Sequence, residues 1–191
     1  FGFLYLKERK TEFILISNND VIIDDDFLIS KMTESYLECD SPAFLNPMIR
    51  NENNERARFS AWKIPTFFDD LKSLLFLDRI HFLKSDKKYN FPQAIIPVDC
   101  VPGSFSLIKK DVLFDLGLFD ENTFLYCEER INAKKVKEKG LQNYLNTKLS
   151  YIHQEGGTIN KYFSYIGKMK ILVTSRIYFH VRYNNIFKFL A

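Results

Sequence analysis

The segment from Phe13 to Val21 sets the strongest limit on how this chain folds: the apolar run Phe13-Ile14-Leu15-Ile16 stops abruptly at Ser17 and gives way to Asn18, Asn19 and Asp20. A run so short, rich in β-branched and aromatic residues and bounded by polar turn formers, reads as a buried strand. In open α/β sheets, ligands bind in the crevice beyond the carboxyl ends of the strands, and a carboxylate there can hold a divalent ion against a phosphate. Asp20 is therefore the first candidate metal ligand. The same three residues also suit an ordinary turn, because their side chains bond readily to nearby backbone.

The remaining pattern alternates strands with helices. Residues 1–10 read as the end of a helix, with Lys7 to Lys10 charged in its last turn as the helix dipole favours. Asp24, Asp25 and Asp26 precede Phe27, Leu28, Met32, Tyr36 and Leu37 at helical spacing, so one of the aspartates is expected to be an N-cap rather than a metal ligand. A second strand is expected over 43–49, with Pro47 marking a sheet edge or a strand end. Residues 51–65 form a polar, basic excursion, and 66–77 are again amphipathic. The β-rich stretch 95–108 is interrupted at Pro102-Gly103-Ser104, where glycine permits close approach of backbone to a ligand or an unusual dihedral. Asp111 can cap a short helix over 112–116 that Gly117 ends. Glu128 and Glu129 open a helix whose later turns carry Lys134, Lys135, Lys137 and Lys139 before Gly140, an arrangement that suits the helix dipole without any chemistry. A last strand over 145–152 ends on His153-Gln154-Glu155-Gly156-Gly157.

Composition narrows the class. With 191 residues, 46% of them hydrophobic, the chain can build one cored domain with an appendage. Its 19 Phe and 10 Tyr against 7 Gly and 6 Pro argue against low-complexity disorder. Cys39, Cys100 and Cys127 are widely spaced and form no CxxC pair, which argues against a disulfide framework or a zinc site and fits a reducing cytoplasm. Asp78, Arg79 and Arg176 interrupt the apolar runs well short of the ~18 residues a membrane-spanning helix needs. No secretory signal pattern is present, and the start at Phe1 reads as a piece of a longer protein. The net charge of +3 is unevenly spread: no acidic residue follows Glu155, whereas Lys161, Lys168, Lys170, Arg176, Arg182 and Lys188 do. A basic, aromatic tail on a mildly acidic body suggests a surface for anionic lipid or phosphate, not a nucleic-acid-binding protein. A helix packed on the body with its lysines in water accounts for the same charges.

Asn18 and Asp20, Glu128 and Glu129, and His153 thus all lie at the ends of elements in an α/β chain, where a site assembled at one sheet edge would draw its residues. Asn18-Asn19-Asp20-Val21, Gly103-Ser104-Phe105, Gly117-Leu118-Phe119-Asp120-Glu121, Phe124-Leu125-Tyr126-Cys127-Glu128-Glu129 and His153 with Gly156-Gly157 resemble, in this order, family 2 glycosyltransferases of the GT-A fold, especially rhamnosyltransferase-like enzymes of surface-polysaccharide synthesis. The resemblance runs from residue 1 to about residue 160. It implies a partial GT-A fold, a mixed sheet flanked by helices, over residues 1–157, followed by a basic helical extension over 158–191. It implies a divalent metal (Mg or Mn) at Asp20, with Asn18 and His153 beside it, and a catalytic base at Glu129 or Glu128, where family members more often carry Glu-Asp. Asn19, Gly103, Ser104 and Tyr126 would border substrate.

The implied reaction is inverting transfer of a hexose or rhamnose from a nucleotide-sugar donor to a glycan or lipid-linked acceptor, in the cytoplasm at the inner face of the cell membrane. Neighbouring helical residues point about 100° apart, so only one of the two glutamates can face the acceptor hydroxyl. The resemblance also implies a β-α-β half that grips the donor's base and ribose ahead of Phe1. Without that half, the alternative is a non-catalytic remnant that binds membrane or partner glycosyltransferases. A nucleotidyltransferase of similar fold is disfavoured by the lack of a glycine-rich, lysine-bearing phosphate loop. The tail, through residues 161–190, is expected to associate peripherally with membrane.

Overall fold

A computed structural model describes residues 2–53, 55–56, 59–75, 93–123, 125–154 and 164–184, with only the backbone of residues 2–4. The expected first helix is α1, Gly2–Lys7, and the apolar run forms β1, Phe13–Ser17. After the two-residue β2, Val21–Ile22, comes α2, Leu28–Leu37, which buries Leu28, Met32 and Tyr36, the every-fourth-residue stripe of one helix face. Phe27 and Leu37, expected in that stripe, are exposed. The acidic triplet does not supply the N-cap. Phe27 holds that position without a side-chain bond, and Asp25 instead accepts from Phe27 N and Lys31 Nζ while Asp24 grips Arg50. Asp24 and Asp25 thus serve structural contacts ahead of the helix.

Strand β3, Pro42–Arg50, lies in the middle of the sheet and not at an edge, which corrects the reading of Pro47. The sheet tolerates this proline because its ladder is broken there. Pro47 faces Asn146 while Met48 faces Ser150, so the partner strand bulges between them. The Asn146 side chain fills the gap by accepting from the Lys148 and Leu149 amides. Thr66 opens α3, Phe67–Leu74, through a capping box with Asp69. Residues 76 and 77 of the expected amphipathic stretch lie outside the described residues.

The interrupted β-rich stretch becomes β4, Ile95–Val98, and β5, Phe105–Lys109, followed by α4, Lys110–Asp115. Lys109, not Asp111, is the N-cap of α4; Asp111 sits inside the first turn, where its charge still favours the dipole. Gly117 and Gly140 both take left-handed backbone, φ 74° and 69°, just past a helix end, as their positions predicted. Helix α5 spans Glu128–Glu138, β6 spans Gln142–His153, and α6 spans Tyr165–Arg182.

The result is α/β: a six-stranded mixed sheet in the order β1-β5-β3-β6-β2, with β4 also on β6, in which β3 and β6 run parallel and the other pairs antiparallel. Helices cover both faces. Leu28, Met32 and Tyr36 meet Leu45, Phe105, Leu107 and Tyr151 on one side, while Leu113, Leu116 and Val136 meet Ile14, Phe44, Ile108 and Leu145 on the other. The strict alternation of β5, with Phe105 and Leu107 on one side and Ile108 on the other, follows from the period of two of an extended chain.

Candidate functional site

The strand register brings the polar ends to one end of the sheet. β1 runs antiparallel to β5 with Ser17 opposite Phe105, so the next residue, Asn18, meets the start of β5, where its amide donates to Ser104 O at 2.8 Å. β2 pairs antiparallel with the end of β6, Val21 opposite His153. That pairing sets Asp20 beside the imidazole: His153 Nε2 lies 3.2 Å from Asp20 Oδ1, and Gln154 N donates to Asp20 O at 3.0 Å. Two residues earlier on β6, and so on the same face, the Tyr151 hydroxyl shares a 2.6 Å hydrogen bond with Ser104 Oγ. Ser104 therefore joins β5 to β6 beneath the edge, its hydroxyl buried. Asn18 and Asn19 are exposed at the rim.

The turn bearing the glutamates approaches from the other side of Ser104. Asn46 Nδ2 and Ser106 Oγ both donate to Pro102 O, which fixes the peptide leading into Gly103. A β-carbon built on Gly103 would lie 3.8 Å from Glu129 Oε1, an ordinary contact, and Gly103 has no left-handed backbone. What glycine offers here is an open wall beside the carboxylate, with no steric need for the residue. Glu128 and Glu129 line a cavity of about 30 Å³ with Ile16, Phe44, Pro102 and Phe119.

Glu129 is the perturbed acid of this region. Loss of water around it pushes its carboxyl up to about 7, the adjacent Glu128 charge adds to the rise, and amide donors including Gly103 N oppose it. A carboxylate poised near neutrality is suited to accept a proton at physiological pH. The turn before it is strained: Tyr126 and Cys127 both hold left-handed backbone, φ 69° and 68°, which side-chain-bearing residues rarely adopt. Tyr126, expected beside substrate, packs half-buried against the cluster of Cys127, Ile131 and Phe179.

Sequence reasoning missed a buried charge cluster next to this turn. Asp70 of α3 accepts from Arg130 Nη1 at 2.6 Å and from His180 Nε2 at 2.8 Å, with Arg176 Nε 3.3 Å away. Asn184 Nδ2 lies 3.0 Å from His180 Nδ1; with the amide donating there, the ring proton sits on Nε2 and points at Asp70. Burial alone would raise the Asp70 carboxyl, but the His180 hydrogen bond and the two guanidinium groups hold it below the usual range. The available signal was spacing: Arg176 and His180 are four apart on one face of a tail that has no acid of its own, so an inward-facing pair must find its carboxylate on the body.

The residues present fit a divalent ion in a limited way. A carboxylate suits a cation such as Mg²⁺ whose other positions are filled by substrate phosphate oxygens and water, whereas an imidazole is the usual ligand of softer ions, so Asp20 is the fitting donor and His153 its hydrogen-bond neighbour. They do not form an all-protein cage. Among the described residues, no group of three or more His, Cys, Asp or Glu side chains could hold a metal. Glu155 and the glycines after it lie outside the described residues. Among the described residues, no helix is long and apolar enough to cross a membrane.

No protein-family model matches the chain. It is similar to the rhamnosyltransferase WbbL of Escherichia coli (strain K12), with 28% identity over 130 residues that cover 65% of this chain and 47% of WbbL. The chain spans about half the length of the curated relative it matches.

Proposed function

We propose that this chain is the metal-side and acceptor-side part of an inverting, family 2, GT-A-type glycosyltransferase that moves a rhamnose or another hexose from a nucleotide-sugar to a glycan or lipid-linked acceptor of a bacterial surface polysaccharide. One observation carries the reading: the segment Gly103-Ser104 meets the Glu129 carboxylate on one side and, on the other, Asn18 and Tyr151, each two residues from a member of the Asp20–His153 pair, at one end of the sheet. The similarity to a rhamnosyltransferase supports the reaction class.

Each residue then has a physical task. Glu129 takes the proton from the acceptor hydroxyl as that oxygen attacks the anomeric carbon, and direct attack inverts the configuration. Glu128 supports it by keeping its affinity for a proton high. A divalent cation such as Mg or Mn, bound at Asp20 and His153 with Asn18 as neutral neighbour, would offset the negative charge gathering on the leaving nucleoside diphosphate. Gly103 leaves room for a sugar next to the base. Exposed Lys170 and Arg182 on α6 provide a basic outer surface compatible with work at the inner face of a membrane, where lipid-linked acceptors lie.

The test uses the protein at the full length of its open reading frame, with a panel of nucleotide-sugars, Mg²⁺ or Mn²⁺ and a lipid-linked acceptor. Release of nucleoside diphosphate that needs both acceptor and metal is the expected result. Turnover that survives both Asp20→Ala and Glu129→Gln would remove the assignment.

A further inference from the structure

We infer that α6 is a positioning element for the base-bearing turn, a clamp that holds Tyr126 to Glu129 in their strained geometry, and that the tail is therefore part of the active apparatus. The inference rests on the reading of Glu129 as the base. Four separate contacts carry it. Ser175 Oγ donates to Leu125 O at 2.8 Å, directly ahead of the two left-handed residues. Phe179, fully buried, packs on Cys127 and Ile131, which bracket Glu128, Glu129 and Arg130. Tyr178 and Tyr183 both donate to the Asp120 carboxylate, so α6 also holds the incoming loop. Asp70 ties Arg130, the residue after Glu129, to Arg176 and His180 of α6.

The physical need for a clamp follows from the backbone. Two consecutive non-glycine residues in left-handed conformation are strained, and such strain persists only where the surroundings over-determine it. Cys127 is the N-cap of α5 yet offers no side-chain hydrogen bond, so local capping does not hold the turn. The contacts that do hold it come from α3 and α6, more than 40 residues away on either side in the chain. Releasing them lets Tyr126 and Cys127 relax toward ordinary dihedrals and swings the first turn of α5 away from Gly103. The positioning residues are thus Asp70, Ser175, Tyr178 and Tyr183. None of them reaches Gly103 or the glutamate carboxylates themselves.

The experiment compares Ser175→Ala and the double variant Tyr178→Phe/Tyr183→Phe with wild type and with Met32→Ala, a core substitution on the opposite sheet face chosen for equal or greater loss of Tm. In the full-length protein we expect kcat to fall about tenfold to a hundredfold with donor KM unchanged, the scale of a misplaced catalytic group. Ser175→Thr, which keeps the hydroxyl, is expected to restore kcat. The ¹³C signal of the Glu129 carboxyl, followed against pH, should titrate lower in the clamp variants than in wild type as water regains access to it. Clamp variants that lower Tm yet keep wild-type kcat and a wild-type Glu129 titration would overturn the inference. Failure of the base assignment reads differently: turnover would survive Glu129→Gln, while the carboxyl titration would still report whether α6 sets the geometry of the turn.

Discussion

The two sides of the candidate site are held by different kinds of force. Asp20 and His153 meet because β2 pairs with β6 in one register, so ladder hydrogen bonds alone bring the carboxylate to the imidazole. Glu129 stands at the start of a helix entered through two left-handed residues, and its surroundings come from α3, α6 and the Gly103 turn. The first side is a consequence of sheet formation; the second is strained and depends on distant packing. Remote substitutions should therefore damage the glutamate side and spare the metal side.

The largest expected effect tests whether both sides serve one reaction. Glu129→Gln should lower kcat by roughly 10²–10⁴-fold, the usual contribution of a positioned general base, with the fold intact by circular dichroism. Asp20→Ala should abolish the metal dependence of nucleoside diphosphate release. If one variant is inert, the two sides do not cooperate.

Next in size is the buried charge cluster. Asp70→Ala leaves two guanidinium groups without their carboxylate, and removing one partner of a buried pair costs about 3–5 kcal/mol, read from the denaturant midpoint. The exposed Lys31–Asp25 pair offers the contrast: Lys31→Ala should leave the denaturant midpoint close to that of the wild type.

A pH series sharpens the comparison further. Because the folded Glu129 carboxyl is raised to about 7, above its unfolded value, the proposed base would be competent only as pH rises through that point, and kcat should show a rising limb there. The stability consequence has the opposite sense. A raised acid contributes stability below its unfolded pKa and loses it as pH climbs through the folded value, so Glu129→Gln should flatten stability between about pH 4.5 and 7. Glu128→Gln removes the neighbouring charge and should move the activity limb to lower pH. Asp120 has the reverse sign: although burial works against its charge, hydrogen bonds from Tyr183, Asn122 and Tyr178 hold its carboxyl low, so their stabilisation is present at neutral pH and lost in acid.

The smallest effect is expected at Gly103. A methyl group there meets Glu129 Oε1 at an unstrained 3.8 Å, so Gly103→Ala should leave stability within about 0.5 kcal/mol while raising the acceptor KM. A large loss of stability would mean that the glycine serves the fold rather than the sugar.

Much of the architecture was legible because it is written in short-range terms. The β1 run, the Leu28-Met32-Tyr36 stripe and the glycines at 117 and 140 were all readable from neighbours a few residues away. Capping was legible only in kind. Asp25 and Asp111 do lie where helices begin, but each is displaced from the cap, since a helix start can settle on any of several adjacent polar residues when their energies differ by less than the packing of the next turn. Pro47 misled because a proline's place in a sheet depends on whether the partner strand bulges, and that was decided by Asn146, almost a hundred residues away. The cluster at Asp70 was hidden for a similar reason: an aspartate in the first turn of a helix has a sufficient local explanation, and nothing near it announces the three cationic or imidazole partners it finds in space.

By itself the amino-acid order determined the alternation of strands and helices, the polar words that end them, and the inventory of acids and imidazole available for chemistry. These follow from side-chain period and turn preference, which act over a handful of residues. Only the tertiary structure decided that Asp20 touches His153, that Cys127 is bent into a left-handed turn, and that two basic residues of the tail face inward. Pairing register, desolvation and shared burial are properties of segments brought together from far apart, and no local stretch of sequence contains them.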